Sequence, residues 1–246
     1  MEEKLSVIVL THNDELRIVD CLENLTFADE LIIIDDNSED RTVELCKQFT
    51  RNIHVRPLNS NFSNQRNFAL NQAKSKWVLF IDSDELVSPD LAKEIGNVIK
   101  KKEFAGYFLK RYDFMWGKKL KYGEVGSVRF MRLARKESGK WYGKVHETWR
   151  VVGRTSELNN SLKHVPHSTV FDFVKDIDEY SSLRSEEQRE KGKKASAFQI
   201  VAYPTAKFIQ NYIFRRGYKD GVAGFVYAML MSFHSFLVRG KLFLEK

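Results

Sequence analysis

Hydrophobic positions in the first hundred residues gather into short, nearly unbroken runs separated by amphipathic stretches. Leu5 to Leu10 (LSVIVL), Leu31 to Ile34, Ile53 to Val55 and Trp77 to Ile81 (WVLFI) have strand length and little alternation. That is the pattern of strands buried on both faces of a parallel sheet. Between the runs, apolar residues take helical spacing: Leu16, Val19, Leu22 and Leu25 first, then Val43, Leu45 and Phe49. Ser38 is placed to cap the second of these helices, and a third helix is expected around 63–73. The β-α-β-α-β-α-β alternation with short loops predicts an α/β domain: an open, mostly parallel sheet with helices on both faces.

The second half patterns differently. Ser88-Pro89 reads as a helix start, with Leu91, Ile95, Val98 and Ile99 facing inward on a helix from Pro89 to Lys102. Phe104 to Tyr112 and Val128 to Leu133 read as strands, and Trp116-Gly117-Lys118-Lys119 as a hairpin turn or loop between them. Asp172 to Lys194 reads as a charged, solvated helix. Two more apolar helical segments follow, Phe198 to Phe214 and Val222 to Leu244. Eleven of the chain's 31 aromatic residues fall after position 197, and Val222 to Val238 is 17 residues without a formal charge. This length is at the short limit for a spanning helix and is interrupted by His234. Basic ends and aromatic belts fit a pair of interfacial helices, with packing onto the α/β core as the plainer alternative.

Charge sharpens the picture of the tail. The formal net charge is +7, and from residue 200 onward seven basic residues face only Asp220 and Glu245, so +5 of it lies there. An anionic partner is implied, and the aromatic helical context favours a membrane surface over nucleic acid, for which no recognition motif is present. Cys21 and Cys46, without a CxxC pair or a histidine cluster, read as core residues of a reducing compartment. The start Met1-Glu2-Glu3-Lys4 lacks the basic region and cleavage site of a secretory signal. A cytoplasmic protein, peripheral on the inner face of the cytoplasmic membrane, is expected.

Three of the predicted strands end at one edge of the sheet, and each ends in polar groups: Thr11 and Asn13, Asp35 and Asp36, then Asp82 and Asp84. Ligands of open α/β sheets bind at that edge. The turn Asp82-Ser83-Asp84-Glu85 alone reads equally as a metal site and as a solvated acidic turn ahead of a helix. Three such strand ends in one crevice favour a site, in which a hard divalent cation supplies counter-charge. Neither GxGxxG after the first strand nor a phosphate loop is present, so phosphates must be held by metal and by basic groups such as Arg66. Downstream, Trp141 to Trp149 is rich in aromatic rings around His146-Glu147, a pair that by itself carries no chemistry.

These motifs resemble the nucleotide-sugar half of family 2 glycosyltransferases with a GT-A fold. The shared pattern is T-x-N-[DE]-E at Thr11 to Glu15, D-D-N-S-x-D-x-T at Asp35 to Thr42, Q-[KR]-N-x-A-L at Gln65 to Leu70, and D-x-D-E at Asp82 to Glu85. Val145-His146-Glu147 and the segment Arg216 to Phe225 narrow the likeness to a bacterial subgroup resembling the lipopolysaccharide core β-1,4-glucosyltransferase. The resemblance implies a Rossmann-like GT-A domain over 1–165, with a nucleotide-binding half at 1–100 and an acceptor half at 101–165. Residues 166–246 would form a helical, membrane-associating appendage.

By position it implies that Thr11 and either Asp35 or Asp36 contact uracil and ribose, and that Asn13, Glu15, Gln65 and Ser83 belong to the nucleotide site. Asp82 would face the ribose or the metal, Asp84 would bind Mg²⁺ or Mn²⁺, and Arg66 would approach the phosphates of a UDP-sugar. Glu147 would be the general base, and His146 a further metal ligand or an orienting group. The implied reaction is inverting transfer of a hexose such as glucose to a lipid-linked or envelope glycan. Asp35-Asp36-Asn37 departs from the D-S-G common in the subgroup, which leaves the base-contacting acid as either aspartate. The alternatives are a nucleotidyltransferase on a similar fold, whose Gly-rich basic loop is missing after the first strand, and a non-catalytic nucleotide-sugar binder.

Overall fold

The computed structural model describes residues 3–59, 61–125, 128–143, 147–167 and 169–244. Its strands are β1 (Leu5–Thr11), β2 (Glu30–Asp35), β3 (Ile53–Val55), β4 (Trp77–Asp82), β5 (Glu85–Leu86), β6 (Gly106–Met115), β7 (Lys118–Lys119), β8 (Val128–Arg135), β9 (Gly139–Tyr142), β10 (Thr148–Val151) and β11 (Thr155–His164). Its helices are α1 (Ile18–Glu23), α2 (Thr42–Cys46), α3 (Phe62–Gln72), α4 (Pro89–Val98), α5 (Val170–Glu190), α6 (Ala197–Ile209) and α7 (Gly221–Leu244). The chain divides into two compact units, Met1–Arg111 with Val128–His164, and Tyr112–Ser127 with Val165–Lys246.

In the first unit the apolar runs pair in parallel in the order β3-β2-β1-β4. Successive side chains of a strand point to opposite faces, so each run feeds two cores. Val7, Val9, Ile33, Leu79 and Ile81 pack on one face with Cys21, Leu22, Leu91 and Ile95. Ile8, Ile32, Ile34, Val78 and Phe80 pack on the other with Ala69, Leu70 and two tryptophans. The register sets Thr11 opposite Asp35 and Leu10 opposite Asp82, which brings these strand ends to one edge.

Beyond β4 the sheet continues β8-β6-β11-β5, with β8 antiparallel to both β4 and β6. Strand β11 is antiparallel to the short β5, pairing His164 with Glu85. A separate ribbon, β9 against β10, sets Trp141 opposite Trp149. Their rings stack at 5.4 Å and both meet Phe80 of β4 edge-on, at 5.0 and 5.2 Å.

Several elements depart from the periodicity. Helix α1 begins only at Ile18, and Leu16 is 89% exposed. The cause lies upstream, where Asp14 takes the first turn's N–H groups of Arg17 and Ile18 on its carbonyl while its carboxylate is drawn into the sheet edge. Ser38 does not cap α2; it donates to Asp35, and Asp40 accepts the Thr42 N–H instead. Ser88 does cap α4, accepting from the Leu91 N–H with Pro89 at the first helical position.

The second unit has its own core of Met115, Leu120, Val125, Phe173, Ile177 and Tyr227. Its hairpin turns through Trp116 (φ 51°) and Gly117 (φ 76°), the paired left-handed residues of a two-residue β-turn. After α6 the chain makes a π-helical turn, Gln210–Phe214, and a 3₁₀ turn, Gly217–Asp220, before α7. Asp220 accepts the N–H groups of Lys121 and Tyr122 at 2.9 Å each. Gly224 packs so closely that a Cβ there would lie 2.0 Å from the Gly217 carbonyl oxygen. The segment Arg216 to Phe225, whose sequence stood out, thus forms the corner that joins two helices and holds the hairpin.

Candidate active site

The parallel strand ends build the floor of the site. After β1 the chain is held by Asp14, whose carboxylate accepts from Thr11 Oγ1 at 3.0 Å, from the His12 N–H at 3.2 Å, and from Ser83 Oγ. Asn13 takes a left-handed φ of 52° and bridges to the β2 loop, donating its N–H to Ser38 and accepting from the Glu39 N–H, both at 2.8 Å. Glu15 joins the same bridge through Asp40 and Arg41. Asp35 is fully buried, and both its oxygens are taken by Ser38. Asp36 is half-buried and accepts the Leu58 N–H at 2.7 Å. Gln65 is buried and clasps Arg56 through both that residue's carbonyl and its guanidinium.

A buried ionic cluster stands beside this floor. Arg66 of α3 donates from Nη2 to Asp82 at 2.9 Å and from Nε to Glu147 at 2.7 Å, with its guanidinium 4.8 Å over the Trp141 ring. Its Nη1 is buried with no partner among the described residues. Arg132 of β8 grips Asp82 from the other side and reaches Glu85 at 3.3 Å, which Arg111 also approaches at 3.4 Å. Burial pushes the Asp82 carboxyl up, but Arg132 and Arg66 outweigh it and hold the group well below the usual carboxylate range. Glu85 goes the other way: burial raises it, the neighbouring aspartates add to the rise, and Arg132 offsets only part. Burial works against the Arg132 charge as well, and the two carboxylates more than restore it.

Asp84 is about as exposed as Asp82, its side chain 26% against 28%, with His164 Nε2 at 3.0 Å from its Oδ2. Burial raises the Asp84 carboxyl, and the hydrogen bond and charge of His164 bring it below its ordinary value. Among the described residues no three His, Cys, Asp or Glu side chains form a ready metal cage. One carboxylate and one imidazole do fit a divalent cation whose remaining positions are filled by substrate phosphates and water. The unpartnered Nη1 of Arg66 fits an anion.

The sequence had no signal for His164 or Arg132 as site residues. Strand β11 brings His164 to a position 80 residues earlier, and β8 inserts Arg132 between two acids of the β4–β5 turn. His146 lies outside the described residues; Glu147 is described, at the foot of the β9–β10 ribbon, and meets Arg66.

The glycosyl transferase family 2 model matches residues 6–157. The lipopolysaccharide core biosynthesis glycosyltransferase LpsC of Rhizobium meliloti is 26% identical over 249 residues, 97% of this chain and 92% of its own. The uncharacterized glycosyltransferase RT0209 of Rickettsia typhi is 26% identical over 256 residues, 98% of this chain and 87% of its own. Among solved structures, Staphylococcus aureus TarS 1-349 in complex with UDP superposes with a TM-score of 0.51 at 17% identity, covering 97% of this chain and 90% of that one. Its complex with UDP-GlcNAc gives 0.50 at 20% identity, over 75% and 66%. At these identities the superpositions speak to the fold, a GT-A α/β domain followed by helices.

Proposed function

The chain belongs to glycosyl transferase family 2, and we propose that it moves a hexose from a UDP-sugar to a membrane-linked glycan or glycolipid, inverting the anomeric configuration. The observation that carries this reading is the Asp84–His164 pair beside an arginine that already touches Glu147. On this reading Asp84 and His164 form a cation-binding half-site, Arg66 an anion-binding guanidinium and Glu147 the base. LpsC, by its name a lipopolysaccharide core enzyme, supports an envelope glycan as acceptor, and the TarS complexes support a uridine donor. The family match sets aside nucleotidyl transfer and non-catalytic binding.

In this reading the Thr11–Glu15 loop and the acids after β2 hold the nucleoside. Asp35 is spent on Ser38, which leaves Asp36 as the acid assigned to it. Gln65 shapes the wall through Arg56, and Ser83 fixes the floor through Asp14. Asp84 and His164 would hold Mg²⁺ or Mn²⁺, which supplies positive charge to the leaving diphosphate. Asp82, gripped by two arginines, faces the ribose side and keeps Arg66 aimed at the phosphates. Glu147 takes the proton of the acceptor hydroxyl as its oxygen bonds to the anomeric carbon and the bond to the diphosphate breaks. One base suffices because the nucleophile is neutral and the leaving group needs no proton, whereas a hydrolase flanks its bond with two carboxyl groups.

The helices of the second unit supply the membrane contact. Helix α6 buries none of its side chains, and Phe198, Val201, Phe214, Val222 and Leu244 are among the exposed apolar residues of the tail. The helical stretch Gly217–Leu244 is long and apolar enough to cross a membrane by length and composition. We place it instead at the interface of the inner leaflet, where basic and aromatic residues together favour peripheral binding. The test of the reaction is Glu147→Gln with a panel of UDP-sugars and membrane-extracted acceptor. Transfer is expected to fall by about 10²–10⁴-fold with UDP affinity undiminished; transfer at the wild-type rate removes Glu147 as base.

A further inference from the structure

Within the second unit, α5, α6, the turn after α6 and α7 line an open cavity of about 700 Å³ that the sugar-transfer chemistry leaves unused. Its volume lies in the range of small-molecule sites. Its lining is one-sided in charge: Arg184 from α5, Lys207 from α6 and Arg239 from α7 face it beside His234, whose burial favours the neutral ring, with no Asp or Glu among the lining residues. Two of these cations have acidic partners, Arg184 with Glu187 and Lys207 with Glu124.

Arg239 does not. Its Nη1 donates to the neutral amide oxygen of Gln188 at 2.6 Å, and its guanidinium lies 4.3 Å from the centre of the Tyr203 ring. Its Nε is buried with no partner among the described residues. A half-buried cation held by an amide and a ring is short of its counter-charge, which an arriving anion would supply. Gln188 and the ring hold the guanidinium in place, so it is ready for that anion before binding.

Apolar residues share the rest of the lining with the uncharged polar side chains of Gln188, Tyr203, Gln210 and Ser235. Ile209, Phe214 and Val238 flank the charged groups, and Phe214 is 78% exposed. A soluble phosphate would leave this part of the cavity in contact with nothing it favours. An acyl chain would cover it while its headgroup met Arg239. Basic pockets between apolar helices on the inner side of a membrane are suited to phosphate headgroups.

We propose that this cavity is a headgroup site for one anionic phospholipid, with the phosphate on Arg239 and the first part of an acyl chain along Phe214 and Ile209. The inference rests on the reading that α6 and α7 meet a membrane, and it goes further by naming one site and one lipid class. It gives the enzyme a way to dock on anionic bilayer in a fixed place beyond general attraction.

Two measurements on the full chain test it. The first is co-sedimentation with phosphatidylcholine vesicles, with and without phosphatidylglycerol. Arg239→Gln is expected to lose about tenfold in affinity for the anionic vesicles, against at most about fivefold for Lys219→Gln, an exposed charge of the same tail. Arg239→Lys, which keeps the charge, should retain most of the preference. The second is thermal stabilisation by dihexanoyl-phosphatidylglycerol, expected for the wild type, absent in Arg239→Gln, and not reproduced by glycerol phosphate. Equal losses for Arg239→Gln and Lys219→Gln, or stabilisation of Arg239→Gln by the short-chain lipid, overturn the site. Equal stabilisation by glycerol phosphate makes it a soluble-anion site and also overturns the proposal. Wild-type protein that binds neither vesicle refutes the membrane reading separately, and the short-chain lipid then decides the cavity on its own.

Discussion

Replacing Arg132 by methionine tests the ionic cluster that shapes the crevice. Methionine keeps much of the volume and removes the charge from a side chain only 5% exposed. Breaking one side of a buried ion pair costs about 3–5 kcal/mol, because the remaining charge stays buried. Here the lower figure applies, since Asp82 keeps Arg66 at 2.9 Å and about 3 kcal/mol is then the expected loss. Glu85 likewise keeps Arg111 at 3.4 Å and the Asp82 N–H at 3.0 Å. For a domain of this size the loss corresponds to a fall in Tm of roughly 6–12 °C.

The pH dependence has a definite sign. Asp82, held below its ordinary value of 3.8, stabilises the wild type above that value and loses the contribution as pH falls through the lowered one. Glu85, raised above 4.5, costs stability at neutral pH, and the cost is relieved as pH falls through the raised value. Without Arg132 both carboxyls rise, so the deficit of Arg132→Met should shrink as the pH falls from about 7.5 to about 5.5. Urea unfolding at both pH values, in chelator so that no cation contributes, measures it. A loss under about 1 kcal/mol at pH 7.5, or a deficit that grows on acidification, refutes the argument.

Two further substitutions probe the frame. Gly224→Ala should destabilise the protein by about 1–3 kcal/mol despite its better helix propensity, because the new Cβ meets the Gly217 carbonyl oxygen at 2.0 Å. Gly96→Ala, whose Cβ would meet nothing within 4 Å, should instead stabilise α4 by about 0.5–1 kcal/mol; thermal melts of the two separate packing from propensity. Asn67→Ala removes the pair of 2.9 Å hydrogen bonds that ties α3 to the Trp141 backbone and hence positions the ribbon that ends in Glu147. It should lower kcat more than it weakens UDP binding, and the reverse split would separate the ribbon from the chemistry.

Strands β1, β2 and β4 were legible because burial on both faces leaves an unbroken apolar run, and their parallel pairing then forces the acidic ends together. Helix α1 was less so: Leu16 fits the helical period but stands in solvent, since Asp14 serves the crevice first. The role of Asp35 was undecidable from a pair of adjacent aspartates, and full burial against Ser38 separates it from Asp36. His164 was invisible because its place depends on an antiparallel pairing of β11 with a two-residue strand, across 80 positions of chain. Arg216 to Phe225 stood out in sequence through the resemblance, and packing gives its Gly224 and Asp220 their structural roles.

The central claim is that Asp84 and His164 hold a cation that secures a uridine diphosphate donor. Calorimetric titration of UDP, with Mn²⁺ and with chelator, into wild-type, Asp84→Asn, His164→Ala and Glu147→Gln proteins tests it most directly. The account predicts binding only with metal, at least about tenfold weaker in the Asp84 and His164 variants and undiminished in Glu147→Gln. Equal UDP binding by all four proteins in chelator would contradict it.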